Sequence, residues 1–361
     1  MSTKTALLVS AVLACLTLAA SADSINFNFV TFTGAGDNAG GTTASRISNS
    51  GAIVGFSSNA NATVFTNFVR NPNGTFIPLN ISGDPLANAN GINSSGIIVG
   101  GSAGQAFVYN NGTLSFLPAV QMTAVNETAC GIDDEGTIVG QFTDGATDTT
   151  PGFVDRNGSF TVLNPVVNAA QTFAQGVNGQ GSVIGFYNTD GAHDHGFLFN
   201  TATNGYTLLA DPNVANLFLT RFLGINDNGL AVGYYQDNAG NQHGFLYNVN
   251  SGTYTFLDDP NANMNNGIDI TQITGINDTN EITGFYVDAN GLQRGFFATV
   301  ATATAPEPAS TVLVGLGLVG IVWRRNAILK ATKQQKVATE TELQSPGGSA
   351  PSPRQGLLRL V

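Results

Sequence analysis

The chain has 361 residues, 42% of them hydrophobic and 10% charged, enough apolar material for a large core and too little charge for a disordered polyelectrolyte. Between Asp23 and Ala305 five arginines and no lysine stand against 21 acidic residues, a net charge of −16. A body that negative repels nucleic acid and anionic lipid, so no nucleic-acid partner is expected.

In chain order, the first feature is a secretion signal over residues 1–22. Lys4 gives the basic start, Ala6 to Ala20 the apolar run, and Ala20-Ser21-Ala22 the small-residue site at which signal peptidase cuts before Asp23. Val12-Leu13-Ala14-Cys15 has the outline of a bacterial lipidation site, but the apolar run continues past Cys15, which favours plain cleavage. Removal of the leader leaves Cys130 without a disulfide partner, and stability then rests on packing. Within ETACGID, Cys130 reads as a small buried apolar residue rather than a reactive thiol.

A single phrase then recurs: RISNSGAIVG (46–55), GINSSGIIVG (91–100), GIDDEGTIVG (131–140), GVNGQGSVIG (176–185), GINDNGLAVG (224–233) and GINDTNEITG (275–284). Its terminal glycines are 45, 40, 45, 48 and 51 residues apart, a period suited to a four-stranded propeller blade. The middle glycine (51, 96, 136, 181 and 229) is replaced only by Asn280, the substitution expected of a left-handed backbone position in a tight hairpin turn. Strand, turn, strand is the reading. The terminal glycine lies inside an apolar strand, where it calls for a bulge or for another backbone passing close by; close approach of a neighbouring sheet is the preferred explanation.

Each phrase precedes a second aromatic-rich strand, from NFV at 67–69 to HGFLF at 195–199, HGFLY at 243–247 and RGFF at 294–297. Turn pairs such as Asn157-Gly158 then lead into a further strand of the type FTVL, YTLL or YTFL. The sixth unit stops near Val300 without that strand, and FVTF at 29–32 resembles the missing piece. Completion of the last sheet beside Gly295 to Ala298 by the first strand would close a ring. The expected fold is therefore all-β, a six-bladed β-propeller of about 45-residue four-stranded repeats over 23–301. The phrase with its His-Gly-Phe triplet resembles the extracellular HAF repeat, named for His-Ala-Phe. No copy reads His-Ala-Phe in full and two keep the histidine; the resemblance implies an extracellular repeat protein and is nearly silent about activity.

After Thr304 comes APEPASTVLVGLGLVGIVWRRN. Fifteen apolar residues, 309–323, reach about 22 Å as a helix, short of a hydrocarbon core of about 30 Å, which makes a transient membrane anchor. Arg324 and Arg325 hold the far end in the cytoplasm and place the repeats outside. Pro306-Glu307-Pro308, a short apolar helix and this basic pair resemble the PEP-CTERM sorting signal of Gram-negative bacteria. That resemblance implies an exosortase as processing enzyme, cleavage near the triplet, and delivery to the cell surface or an exopolysaccharide matrix. The segment 302–325 is assigned to sorting and 326–361 to a disordered tail.

Candidate chemistry is sparse. His193 and His195 have the i, i+2 spacing of a metal pair on one strand face, but His195 and His243 share a slot in successive repeats, which explains them without a ligand. Asp133-Asp134-Glu135 and Asp258-Asp259 are acid-rich but lack the alternation of a Ca²⁺ loop, and are expected as solvated turns. No nucleophile elbow, phosphate loop or Cys-x-x-Cys pair occurs; Gly315 to Gly320 falls inside the sorting helix. The reading is a non-enzymatic, surface-sorted structural or binding component of the extracellular or exopolysaccharide matrix, with no catalytic residue, cofactor or metal. The alternative is a lectin-like or Ca²⁺-assisted carbohydrate-active propeller enzyme.

Overall fold

The structure, a computed structural model, describes residues 26–34, 39–81, 83–263, 267–301 and 330. The expected leader, with Ala20 and Ala22, and the expected C-terminal helix and tail lie outside the described residues. Among the described residues of the compact unit Ile25–Ala301 the regular elements are all strands. Each phrase forms a hairpin and each repeat an antiparallel sheet in chain order: in the fifth, Leu217–Ile225, Leu230–Asp237, Gln242–Asn248 and Thr253–Leu257.

The sixth repeat supplies three strands, Thr271–Ile276, Glu281–Val287 and Gln293–Ala301. Asn26–Phe32 pairs antiparallel with the last of these, Phe29 opposite Ala298 and Phe32 opposite Gly295, as the FVTF segment led one to expect. One parallel bridge, Gly41 to Gln293, joins this sheet to that of the first repeat; the other four sheets have four strands each. The first strands of the repeats, beginning with Gly41–Ile47, touch in succession, and that of the sixth touches that of the first. The architecture is all-β and propeller-like.

The turn inside each phrase is left-handed where expected, with φ of +73° at Gly229 and +62° at Asn280. The third strand of each repeat buries its phenylalanine completely: Phe68, Phe107, Phe153, Phe197, Phe245 and Phe296 are all 0% exposed. Burial of each contributes about 1.5–3 kcal/mol. The residue before that phenylalanine faces the next repeat and is small where the neighbour is large. At Gly196 an added Cβ would lie 2.4 Å from the Phe222 ring, and at Gly244 it would lie 2.9 Å from Ile273.

The terminal glycine has a different cause from the one preferred on sequence grounds. At Gly233 a Cβ would stand 1.9 Å from the Arg221 carbonyl oxygen, and at Gly100 it would stand 2.0 Å from that of Asn88, each on the paired strand of the same sheet. That strand carries a bulge, with register shifts at Phe222/Gly224 and Ala89/Gly91, which drives a carbonyl under the glycine while the core phenylalanine covers it. Close approach between repeats belongs instead to the phrase's first glycine. A Cβ on Gly176 would lie 3.0 Å from the Gly224 Cα, and one on Gly275 would lie 3.1 Å from the Arg46 Cα.

The asparagine two residues later ties these strands together. Asn226 Oδ1 accepts from the backbone N–H groups of Asn228 (3.1 Å) and Leu230 (3.0 Å), closing its own turn, while its Nδ2 donates to the Asn277 carbonyl of the next repeat (2.9 Å). Asn93 to Asp133, Asn178 to Asn226 and Asn277 to Ser48 repeat the second bond at 3.1, 2.9 and 3.2 Å.

Two substitutions test this account. Asn226→Ala leaves two N–H groups without their acceptor and the Asn277 carbonyl with the Asn280 N–H alone, and should lower unfolding free energy by about 2–4 kcal/mol in urea titrations. Gly233→Ala should cost about 3 kcal/mol or more, because the Arg221 carbonyl cannot withdraw without undoing the bulge. A loss below about 1 kcal/mol for either would contradict the corresponding contact.

Candidate functional site

The first strands run alongside a common axis, and side chains at equivalent positions of the six phrases form layers along it. At the turn end stand Asn49, Ser94, Asp134, Gly179, Asp227 and Asp278, one from each phrase, and five of the six line a cavity of about 150 Å³ there, with Glu135. Two of the carboxylates, Asp134 and Asp278, are tied into a chain of hydrogen bonds between repeats. Asp134 accepts from the Ser94 N–H (2.7 Å), the Ser94 hydroxyl (2.9 Å) and Asn49 Nδ2 (3.1 Å). Asp278 accepts from Asn49 Nδ2 (2.7 Å) and the Asp227 N–H (2.8 Å). Burial, then the neighbouring charges of Asp278 and Glu135, push the Asp227 pKa up.

Below this mouth Ile47, Ile92, Ile132, Val177, Ile225 and Ile276 form an aliphatic belt. The next layer is glycine in five repeats and Arg46 in the first. The Arg46 guanidinium bridges repeats: Nη1 donates to the Ser45 (3.1 Å) and Thr274 carbonyls, and Nη2 to that of Gln175 (2.5 Å). Burial lowers its pKa to about 10, so it stays protonated at neutral pH.

Beyond Arg46 a second chamber of about 310 Å³ opens, lined by amides, hydroxyls and rings, among them Asn90, Gln141, Gln175, Gln272, Phe56 and Phe285. Cys130 lines it too, 6% exposed, its Sγ donating to Gln141 Oε1 at 3.0 Å. Burial pushes the thiol pKa up to about 11, as befits a packed rather than a reactive cysteine.

The histidines are each held by one carboxylate: His193 by Asp190 (2.5 Å), His195 by Asp211 (2.8 Å) and His243 by Asp258 (2.8 Å). Their shared slot is visible in the packing, since His195 lies beside Tyr187 and His243 stacks on Tyr235 at 4.8 Å. Among the described residues no group of three or more His, Cys, Asp or Glu is placed to hold a metal ion. The acid-rich turns are only partly solvated. Asp133 and Asp259 are 7% and 2% exposed. Asp133 stands in the phrase's asparagine position and caps the Thr137 N–H (2.7 Å); Asp259 accepts from the Asn261 N–H (2.8 Å). Sequence reasoning passed over Arg46 and the chamber; the signal for Arg46 was its being the one departure from glycine at the head of the phrase.

Residues 304–326 match the family described as the PEP-CTERM protein-sorting motif. The match contains Pro306, Glu307, Pro308, Arg324 and Arg325. The motif is a recognition signal for exosortase processing and implies an exported, surface-sorted protein. No curated protein matches the chain. Among solved structures the chain is similar to TolB from Acinetobacter baumannii, at 9% identity over 81% of this chain and 68% of that one, with a TM-score of 0.42. It is also similar to the β-propeller domain of the Trilobed protease from Pyrococcus furiosus, at 9% identity over 74% and 99% of the two chains, TM-score 0.37. A third is a mutant Aleuria aurantia lectin in complex with Fucα1-6GlcNAc, at 10% identity over 74% and 98%, TM-score 0.38.

The His243 pair gives a pH dependence. Its hydrogen bond with Asp258 raises the imidazole pKa, against the opposing effect of burial. The stabilisation is therefore complete below the unfolded pKa of about 6.5 and is lost as pH rises through the folded value. Asp258→Asn should cost more stability at about pH 5.5 than at about pH 8.5, measured as urea midpoints. An equal cost at both would remove the ionic part of the pair.

Proposed function

We propose that the chain is a six-bladed β-propeller closed by its N-terminal strand, exported and sorted to the cell surface, where it serves as a non-enzymatic structural or binding component of the extracellular or exopolysaccharide matrix. The sorting motif at 304–326, following directly on the repeat unit, is the observation that carries this reading. The cyclic contact of six first strands, the pairing of Asn26–Phe32 with the last strand, and cavities lined from repeat after repeat support the closed ring. HAF-type repeats remain the proposed kinship of the phrase.

Binding rather than turnover is favoured by the division of chemistry along the axis. The carboxylates gather at one mouth, where those of Asp134 and Asp278 are engaged by N–H and hydroxyl donors. The larger chamber at the other end is built of amides and hydroxyls, groups that hold a polyhydroxylated ligand but do not exchange protons near neutral pH.

Replacement of both Pro306 and Pro308 by Ala should leave uncleaved protein at the inner membrane, while the wild type is recovered at the surface with a shorter C-terminus. Fractionation with mass spectrometry of each form checks this. Identical distribution and identical mature mass for mutant and wild type would refute exosortase-dependent sorting through the triplet.

A further inference from the structure

We propose that the chamber beyond Arg46 binds one carboxylate-bearing glycosyl unit, a uronic acid residue of a polysaccharide, with Arg46 as its anion anchor. The inference rests on the matrix-binding role above and names the ligand class and the site.

The six repeats supply their own control for which positions the fold fixes. Two residues before each phrase stand Ala44, Ala89, Ala129, Ala174, Phe222 and Ile273, all apolar and all 0% exposed. The second position of the phrase is isoleucine or valine in every copy. Packing dictates both. Immediately before each phrase the residues are Ser45, Asn90, Cys130, Gln175, Leu223 and Thr274, different in all six, and every one of them lines the chamber. A position that the fold holds in one place but leaves free in identity is where specificity can be written.

What is written there suits a sugar. Asn88, Asn90, Gln141, Gln175 and Gln272 offer amides, which donate and accept as hydroxyl groups require. Phe56 and Phe285 offer ring surface to the C–H face of a pyranose. The volume, about 310 Å³, is that of a small-molecule site.

Charge completes the argument. Arg46 is half-buried at the chamber's inner end, and none of the ion pairs among the described residues involves it. Three of its five N–H groups go to neutral carbonyls, leaving two. A cation partly withdrawn from water without a counter-charge is disfavoured, and a carboxylate supplies both the charge and the acceptors. Among the described residues no acidic one lines the chamber, and the axial cluster of carboxylates stands at the opposite mouth, across the aliphatic belt.

Ligand-observed NMR and calorimetry on the purified exported protein test the site with three probes: methyl β-glucuronide, methyl β-glucoside and acetate. The glucuronide should bind at least about tenfold more tightly than either of the others, since each of those lacks one half of the recognition. Arg46→Gly, which restores the residue of the other five repeats, should abolish the preference for glucuronide over glucoside. Gln141→Ala should weaken both sugars alike while leaving their ratio unchanged, and Arg46→Lys should keep a reduced preference if Arg46→Gly fails to fold. Equal binding of glucuronide and glucoside by the wild type, or a preference unchanged in folded Arg46→Gly, would overturn the proposal. Retention of the protein on purified exopolysaccharide without glucuronide binding overturns the chamber assignment and leaves the matrix role standing; glucuronide binding without such retention does the reverse.

Discussion

The structure depends on how closely successive first strands can approach at the axis. Removal of the side chain at Gly91, Gly131, Gly176, Gly224 and Gly275 lets one repeat's backbone rest on the next, where a Cβ would meet it within 2.7–3.2 Å. Proximity alone would leave the neighbour's carbonyl only the donor within its own turn, such as the Asn280 N–H for Asn277, with its second lone pair unmet. Asparagine resolves this because it accepts and donates at once: Oδ1 closes its own turn and Nδ2 reaches the neighbour's carbonyl. Asp133 and Ser48, which replace it in two copies, cap their own turns by Oδ1 and Oγ but cannot reproduce the amide bridge.

The same alignment sorts chemistry along the axis. Six strands in one register turn each phrase position into a layer, so the composition of a layer is the composition of a sequence column. Turn residues, which tolerate Asp, produce an acidic mouth; the apolar position that follows the glycine produces a belt; the residues before the phrase produce the amide-lined chamber. Two ends of opposite character thus arise from one ten-residue phrase. Arg46 lies where they meet, held by carbonyls of the first, fourth and sixth repeats.

Local chemistry made much of this legible. Asn280 in a glycine slot announced its positive φ, and FVTF announced the strand that completes the last sheet. Legibility failed where a residue's environment depends on register. A glycine in a strand fits a bulge or a neighbouring sheet equally well, and only pairing distinguishes them; at Gly233 the bulge at Phe222/Gly224 decides. Asp133 and Asp259 looked solvated because their neighbours are polar, yet each is drawn inward to cap a backbone N–H. The chamber left no local trace, since its ring draws one residue from each repeat and each of those six is unremarkable alone. The sorting motif at 304–326 was legible because the order of its parts along the chain is itself the signal.

The junction between the first and second repeats shows how the scheme absorbs a functional exception. Arg46 removes the glycine there, and Ser48 removes the asparagine bridge, so this seam lacks both devices, whereas the seam at Asp133 lacks the bridge alone. The third strand of the first repeat compensates. Where most repeats carry glycine before the core phenylalanine, the first carries Asn67, which is 3% exposed. Its Nδ2 donates to the Ala87 carbonyl (2.7 Å) and its Oδ1 accepts from the Ala89 N–H (2.8 Å), both on the second repeat. One amide again pairs a donor with an acceptor across the seam, displaced outward from the axis by two strands. That displacement leaves the axial position of the first repeat free to carry a long cationic side chain, which none of the other five junctions accommodates while its glycine packs against the next backbone.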